Sequence, residues 1–355
     1  MRQVLFRIPW DGLPVGGVRV PVFGAGILLL LWVVFAVWTL AQARRQTGRW
    51  VVPDPLSTVL WGAVAAGLLF APSWGPRFAP EGAPLFGYGA MLLVGLVSAV
   101  WLADHRARQA GFSPDIIWDL ALWLFLAGIA GARLLYLLQY GAQVYAGKQS
   151  LAEIVWASVN LSEGGIVFYG GALAGAAAHF AFCRWRKLSA LELADVITPS
   201  IFLGMGFGRL GCLLNGCCYG DYCDLPWCLV FPADSVPWQA LVHRGFLPPD
   251  APQTPPLHPT QIYSSLDGFV LAGLTLWYTR YRRVPGDVLG LGLLIAPVTR
   301  FLIEFVRGDE YGQLGTSLTI SQWISLGLLA GGLGLQVYLA QRARGKQASM
   351  ATTGG

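Results

Sequence analysis

The chain has 355 residues, of which 55% are hydrophobic and only 12% are charged, with a formal net charge of +5. Soluble domains carry about 25% charged residues, so this composition excludes an ordinary water-soluble protein and predicts a membrane protein. The 15 Trp, 12 Tyr and 45 Gly residues are typical of lipid interfaces and of closely packed membrane helices.

Nine stretches approach the roughly 20 apolar residues that a membrane-spanning helix needs. We therefore predict an all-α polytopic membrane protein with about nine transmembrane helices. The first stretch lacks a small-residue cleavage site, so we interpret it as a retained helix and not as a signal peptide. The stretches are residues 22–42, 57–72, 85–103, 116–139, 164–183, 193–214, 263–279, 288–306 and 319–340.

The distribution of Lys and Arg predicts the orientation, because short cytoplasmic loops retain positive charge. Fourteen of the 24 Lys and Arg residues fall on one side of the predicted bundle, seven on the other and three inside spans. This asymmetry predicts a cytoplasmic carboxyl terminus, and nine spans then put the amino terminus outside.

Two early segments of the chain resemble each other. Residues 22–48 align without gaps on residues 85–111, and both share an F-G-x-G start, an A-V-W and an R-Q-x-G exit. We interpret this as a duplicated span, with convergence of two apolar helices as the alternative. Residues 1–83 are then an N-terminal extension with two spans, residues 84–341 are the working unit and residues 342–355 are a disordered tail.

The longest connection, residues 215–261, is rich in Pro and Cys and too polar to span, so it predicts a small periplasmic head. Most of the cysteines cluster at the outer end of the sixth predicted span or beyond it. They could be metal ligands, but no His is near and no paired C-x-x-C spacing is present, so we predict no metal centre. A disulfide between Cys223 and Cys228 is favoured because the periplasm is oxidising. The clustered cysteines are Cys212, Cys217, Cys218, Cys223 and Cys228.

Charged side chains inside predicted spans indicate function, because each costs roughly 2.5–3.5 kcal/mol on insertion scales. Arg133, Arg209, Arg300 and Glu304 are such residues, and the orientation places them toward the outer ends of their spans. Arg300, Glu304 and Arg307 share one helical face, where the carboxylate can orient two guanidinium groups. An internal ion-pair network that only holds helices together is the alternative.

Other polar features fall at the same predicted depth. Arg133, Tyr136 and Tyr140 form a second polar face, for which a structural role is an equal alternative. The glycine-rich segment 204–211 frees backbone N–H groups for an anion, although tight helix packing also explains glycines.

Asp195 also lies within the sixth predicted span, but at a different depth. It lies fourteen residues before Arg209, about 21 Å at helical rise, so we predict a structural role for it in the other half of the span.

Residues 208–220, G-R-L-G-C-L-L-N-G-C-C-Y-G, resemble the signature of prolipoprotein diacylglyceryl transferases, G-R-x-G-N-F-x-N-x-E-x-x-G. Cys212, Leu213 and Cys217 replace the Asn, Phe and Glu of that signature, and Tyr169 stands where the family often carries His. Further matches follow in the family's order over about residues 84 to 330. They are Tyr88-Gly89, Gly131-Ala132-Arg133, Gly164 to Gly171, His258 to Tyr263, Arg300 to Arg307 and Ser321-Gln322.

The resemblance implies a bacterial inner-membrane enzyme that moves a diacylglyceryl group from phosphatidylglycerol to the lipobox cysteine of a preprolipoprotein, without a cofactor. Its implied partners are phosphatidylglycerol, preprolipoprotein signal peptides and membrane lipids, with no nucleic acid. An anionic lipid transporter or flippase and an inactive lipid-binding relative are the alternatives. The implied catalytic residues are Arg209, Arg300, Tyr169 and Tyr88. The implied substrate-binding residues are Arg133, Gly170, Gly171, Gly211, Asn215, Gly220, His258, Gln261, Tyr263, Glu304 and Arg307.

Overall fold

The computed structural model describes residues 3–48, 55–161, 164–307, 312–313 and 315–353. The chain divides into two compact units, Met1–Ala90 and Met91–Gly355. Within the described ranges most residues are helical, and every one of the nine predicted stretches overlaps a helix.

The first unit combines helices with short strands, which corrects the all-α prediction. Its strands form two antiparallel pairs, β1 with β4 and β2 with β3. They hold only three to five residues each, so a search for span-length apolar stretches passes over them. Val and Ile, which favour strands, recur in β1 and β3. The elements are β1 (Val4–Ile8), β2 (Leu13–Val15), β3 (Val18–Val20), α1 (Ile27–Thr47), α2 (Pro55–Phe78) and β4 (Ala83–Phe86).

The remaining helices begin with α3, which starts at the end of the first unit and continues into the second. α5 and α8 are short helices inside predicted connections. α11 continues to Thr353, so the structure has helix where we predicted a disordered tail from residue 342. The helices are α3 (Gly87–Gln109), α4 (Ile116–Val144), α5 (Leu151–Val159), α6 (Phe168–Trp185), α7 (Ala190–Asn215), α8 (Val236–His243), α9 (Thr260–Tyr278), α10 (Asp287–Glu304) and α11 (Ile320–Thr353).

Five helices in the described ranges are long and apolar enough to cross a membrane. They make the chain a polytopic membrane protein, while the larger number of nine spans stays a prediction. The five segments are Thr58–Phe78, Gly87–Gln109, Ile116–Val144, Ala190–Asn215 and Ile320–Arg344.

Glycines bring α7 and α9 close together in the second unit. A Cβ atom on Gly268 would lie 2.8 Å from the backbone N of Gly206, and one on Gly206 would lie 2.6 Å from the ring of Phe269. The Ser265 hydroxyl donates a hydrogen bond of 2.9 Å to the carbonyl of Gly206. This contact aligns the last turns of α7 with the beginning of α9, where the chain enters and leaves the predicted head.

The segment between α7 and α9 folds around a small core of its own. Tyr219, Phe231 and Leu257 are buried together, and the backbones of Leu229 and Leu257 exchange hydrogen bonds of 3.0 and 2.9 Å. Cys223 and Cys228 form the predicted disulfide. The polar connection is therefore folded and not an open loop. We keep the name head for residues 215–261, whose periplasmic location stays a prediction.

Asp195 anchors the beginning of α10 to α7. Its side chain is 1% exposed, accepts hydrogen bonds from the backbone N–H groups of Gly286 (2.7 Å) and Leu289 (2.9 Å), and pairs with Arg282 at 3.1 Å. A carboxylate at a helix N-terminus satisfies donors that lack an intrahelical partner. The predicted structural role of Asp195 is confirmed, and α10 is held at the end opposite its arginines.

We expect Asp195→Asn to lower the free energy of unfolding by about 3 kcal/mol, because it leaves Arg282 without its buried anionic partner. The matched control is Asp119→Asn, whose partner Arg186 forms an ion pair at 2.9 Å with side chains 45% and 34% exposed. Such surface pairs contribute about 0–1 kcal/mol. Titration with sodium dodecyl sulfate in mixed micelles measures both variants, and equal losses would contradict this role.

Candidate functional site

A buried carboxylate holds two arginines at the end of α10. Glu304 is 1% exposed and forms a short ion pair with Arg300, while Nε of Arg307 lies 3.7 Å from the same carboxylate oxygen. The Thr319 hydroxyl donates a hydrogen bond of 2.9 Å to the other oxygen. The predicted arrangement of one carboxylate between two guanidinium groups is confirmed, and the cluster keeps one net positive charge.

Arg209 of α7 lies near the same cluster. Hydrogen bonds with the thiols of Cys212 and Cys217 and then the positive charges of Arg209 and Arg307 lower the pKa of the Cys218 thiol. Both guanidinium groups therefore act on one sulfur atom. The charge of Arg209, from α7, and that of Arg307, just after α10, thus both reach the Cys218 thiol.

The chain segment that carries Cys217 and Cys218 is fixed from α9. The Thr260 hydroxyl donates to the carbonyl of Cys218 at 2.7 Å, and the Gln261 amide donates to the carbonyl of Cys217 at 2.9 Å. Both side chains are almost fully buried. Cys218 has a φ of 57°, a left-handed conformation that non-glycine residues rarely adopt, so these two hydrogen bonds hold a strained turn in place.

Three backbone segments meet at Gly220. Its N–H donates to the carbonyl of His258 at 2.9 Å, and its backbone pairs with that of Arg307 as an isolated bridge. A Cβ atom at this position would lie 2.5 Å from Cβ of His258 and 2.6 Å from the carbonyl oxygen of Val306. Only glycine fits here without displacing the backbone that carries Arg307.

Tyr169 reaches the cluster through the first turn of α11. Its hydroxyl lies 2.9 Å from the hydroxyl of Ser321, two residues after the Thr319 that bonds to Glu304. Thr319 and Gln322 form a reciprocal cap, with the Thr319 N–H donating to Gln322 at 3.0 Å and the Gln322 N–H donating to the Thr319 hydroxyl at 3.2 Å. Sequence reasoning missed Thr319, although the T-x-x-Q pattern of a capping box was visible.

Tyr263 is held by hydrogen bonds from two sides, one of them from a tryptophan of the head. The Trp227 indole donates to the hydroxyl of Tyr263 at 2.8 Å, and Nδ1 of His258 lies 3.3 Å from that hydroxyl. The His258 carbonyl also accepts the Gly220 N–H, and the backbone of Gly220 pairs with that of Arg307, so Gly220 links His258 to the segment that carries Arg307.

Arg133 is engaged by backbone carbonyls. It donates to Ala157 and Ser158 at the end of α5 and to Gly164 and Gly165 before α6, at 2.5 to 3.0 Å. These four bonds tie the end of α5 and the loop before α6 to α4, which favours the structural alternative for Arg133.

The other predicted glycines have packing roles in the structure. A Cβ atom on Gly170 would lie 2.6 Å from Cβ of Leu135, and one on Gly171 would lie 3.0 Å from the carbonyl oxygen of Gly128, so both allow α6 to touch α4. Gly211 is buried in α7, and Asn215, the last residue of α7, hydrogen-bonds through its side chain to Cys217. Tyr88 is the second residue of α3 and belongs to the first unit, so its role stays a prediction.

Comparison with known proteins gives one family. The family model described as prolipoprotein diacylglyceryl transferase matches residues 79–338. The chain is 36% identical over 245 residues to a phosphatidylglycerol-prolipoprotein diacylglyceryl transferase of Clostridium tetani, covering 69% of this chain and 89% of that protein.

Two further relatives have the same name. The protein of Azotobacter vinelandii is 35% identical over 266 residues, covering 72% of this chain and 90% of its own length. The protein of Rhodopirellula baltica is 28% identical, and the alignment covers 100% of this chain and 92% of the relative.

We expect Gly220→Ala to lower the free energy of unfolding by about 1–3 kcal/mol, because the added methyl group overpacks the junction of three backbone segments. Gly175→Ala in α6 is the matched control, since a Cβ atom there meets nothing within 4 Å. The midpoint of thermal unfolding in detergent measures both variants. A Gly220→Ala protein as stable as the control would show that the junction has room.

Proposed function

The chain belongs to the prolipoprotein diacylglyceryl transferase family, and we propose that Arg209 and Arg300 clamp the phosphate of phosphatidylglycerol while its diacylglyceryl group is transferred. The acceptor is the lipobox cysteine of a preprolipoprotein. A carbon–sulfur bond forms, the carbon–oxygen bond to the phosphate breaks, the thiol loses its proton and glycerol phosphate leaves.

The observation that carries this proposal is the buried carboxylate of Glu304, which holds Arg300 and Arg307 together where the backbone of Arg307 pairs with that of Gly220. Arg209 and Arg307 both act on Cys218, and Arg307 and Arg300 share Glu304. Negative charge grows on the phosphate as it leaves, and fixed guanidinium groups stabilise such charge strongly where water is excluded.

Arg300 is better suited to substrate than Arg307. The Arg300 side chain is 26% exposed, whereas Arg307 is 9% exposed and its backbone is tied to Gly220. We assign Arg307 and Glu304 as positioning residues that hold Arg300, and Arg133 as a positioning residue for the loop before α6.

Tyr169 is our candidate for proton movement or for a hydrogen bond to the glyceryl group. Its hydroxyl and that of Ser321 form a pair that can pass a proton, and the first turn of α11 joins this pair to the clamp. Tyr88 is a second candidate from the start of α3.

We also propose that all nine predicted helices span, with the clamp and the head facing the periplasm and the carboxyl terminus in the cytoplasm. The excess of Lys and Arg on the opposite side supports this orientation. The remaining predicted binding residues would line the substrate site or hold the segments that line it. They are Gly170, Gly171, Gly211, Asn215, Gly220, His258, Gln261 and Tyr263.

Arg209→Ala and Arg300→Ala should each lower the transfer rate by about 100- to 1,000-fold, the loss typical of one donor to a developing anion. Arg300→Lys should give an intermediate rate, because it retains the charge but loses the planar fork. The measurement is thioether formation by the full chain in vesicles that contain phosphatidylglycerol and a lipobox peptide.

Arg186→Ala is the control for loss of an arginine. Arg186 pairs with the exposed Asp119, and neither residue belongs to the cluster of Arg300, Glu304 and Arg307. Full activity of both alanine variants would end the clamp proposal. Lipid movement across the vesicle without any thioether would instead indicate an anionic lipid transporter.

Tyr169→Phe should lower the rate by about 100-fold or more if its hydroxyl serves proton transfer. Tyr145→Phe is the matched control, because Tyr145 also pairs with a serine, Ser158, at 2.9 Å. Both variants lose one tyrosine–serine hydrogen bond, so a difference in rate measures chemistry and not stability. A Tyr169→Phe enzyme with full activity would remove this hydroxyl from the mechanism.

A further inference from the structure

Three thiols meet where α7 ends. The sulfur atoms of Cys212, Cys217 and Cys218 all lie within 4.8 Å of one another, and all three residues are half-buried. Gly216 ends the helix with a φ of 85°, and the chain turns back so that the Cys217 N–H donates to the carbonyl of Cys212 at 3.1 Å. The turn, and not a C-x-x-C spacing, brings the three sulfurs together.

The turn that carries these thiols is held by hydrogen bonds to its backbone, so its conformation does not require a ligand on the sulfur atoms. Thr260 and Gln261 donate to the carbonyls of Cys218 and Cys217 from the fully buried beginning of α9. The sulfurs are therefore presented on a supported backbone, which is what a binding site requires.

The distances suit metal coordination. Three sulfurs bound at about 2.3 Å to one ion lie roughly 4 Å apart, so the present spacing needs only small side-chain rotations. Thiolates select soft metals such as copper(I). Among the described residues the cluster includes no His, Asp or Glu as a fourth ligand, and zinc in structural sites is almost always four-coordinate.

We propose that Cys212, Cys217 and Cys218 form a three-thiolate site for a soft monovalent metal ion of the copper(I) class. The ion takes the place of the thiol protons, which pass to water, and the metal keeps its oxidation state. Three thiolates and one monovalent cation carry a charge of about −2. The charges of Arg209 and Arg307 reach the Cys218 sulfur, so neighbouring cations compensate part of the charge of the complex.

This compensation has a consequence that rests on the proposed function. The negatively charged metal–thiolate complex would neutralise the positive charge that the clamp offers to a lipid phosphate. Copper(I) should therefore inhibit the transferase, while the metal-free protein is the active form.

The test is titration of the detergent-purified full chain with copper(I) in competition with a chromophoric copper(I) chelator, without oxygen. We expect one equivalent to bind, and native alkylation to fall from three labelled cysteines to none. Cys217→Ser should weaken binding at least 100-fold. Cys183→Ser is the matched control, because that free cysteine is buried in α6 among apolar side chains.

Several outcomes would overturn the site. They are the absence of stoichiometric uptake, uptake that Cys217→Ser leaves unchanged, and zinc bound more tightly than copper(I). The binding assay does not depend on transfer activity, so a metal-binding protein without thioether formation would contradict the proposed function alone. An active enzyme that binds no copper(I) would contradict only the metal site.

Discussion

The site depends on one buried anion. Glu304 is almost completely excluded from solvent, and an uncompensated carboxylate there would destabilise the fold by several kcal/mol. Arg300, Arg307 and Thr319 compensate it, and in doing so they fix the end of α10 against the beginning of α11. Since two cations surround one anion, the cluster cannot neutralise itself. The same interaction that stabilises the helices therefore leaves a positive charge for a ligand.

The head contributes geometry more than chemistry. Its backbone meets the end of α10 at Gly220 and the beginning of α9 at His258, while Thr260 and Gln261 hold the turn after α7. Side chains far apart in the chain thus share one rigid support. The family signature can tolerate Cys at position 217 because the carbonyl group of that residue, and not its side chain, receives the supporting hydrogen bond.

The lengths of the apolar stretches and the spacing of charged residues predicted the helices and part of the arginine cluster. The position of each long helix followed from its apolar length, the pairing of Arg300 with Glu304 from an i, i+4 spacing, and the structural role of Asp195 from helical rise. The strands of the first unit were too short for that pattern. Contacts such as that between Tyr169 and Ser321, which are 152 residues apart, arise from tertiary packing and have no local signal. The three-thiol cluster likewise required the turn at Gly216.

The first turn of α11 has an effect that no single contact reveals. Thr319 donates a hydrogen bond to Glu304, the carboxylate that orients the guanidinium groups, and Ser321 pairs with the hydroxyl of Tyr169. Both contacts therefore depend on the position of one short stretch of backbone. A displacement of that stretch would disturb electrostatics and proton movement at the same moment. Substitutions in the two groups should consequently be energetically interdependent, and their combined effect should differ from the sum of the separate ones.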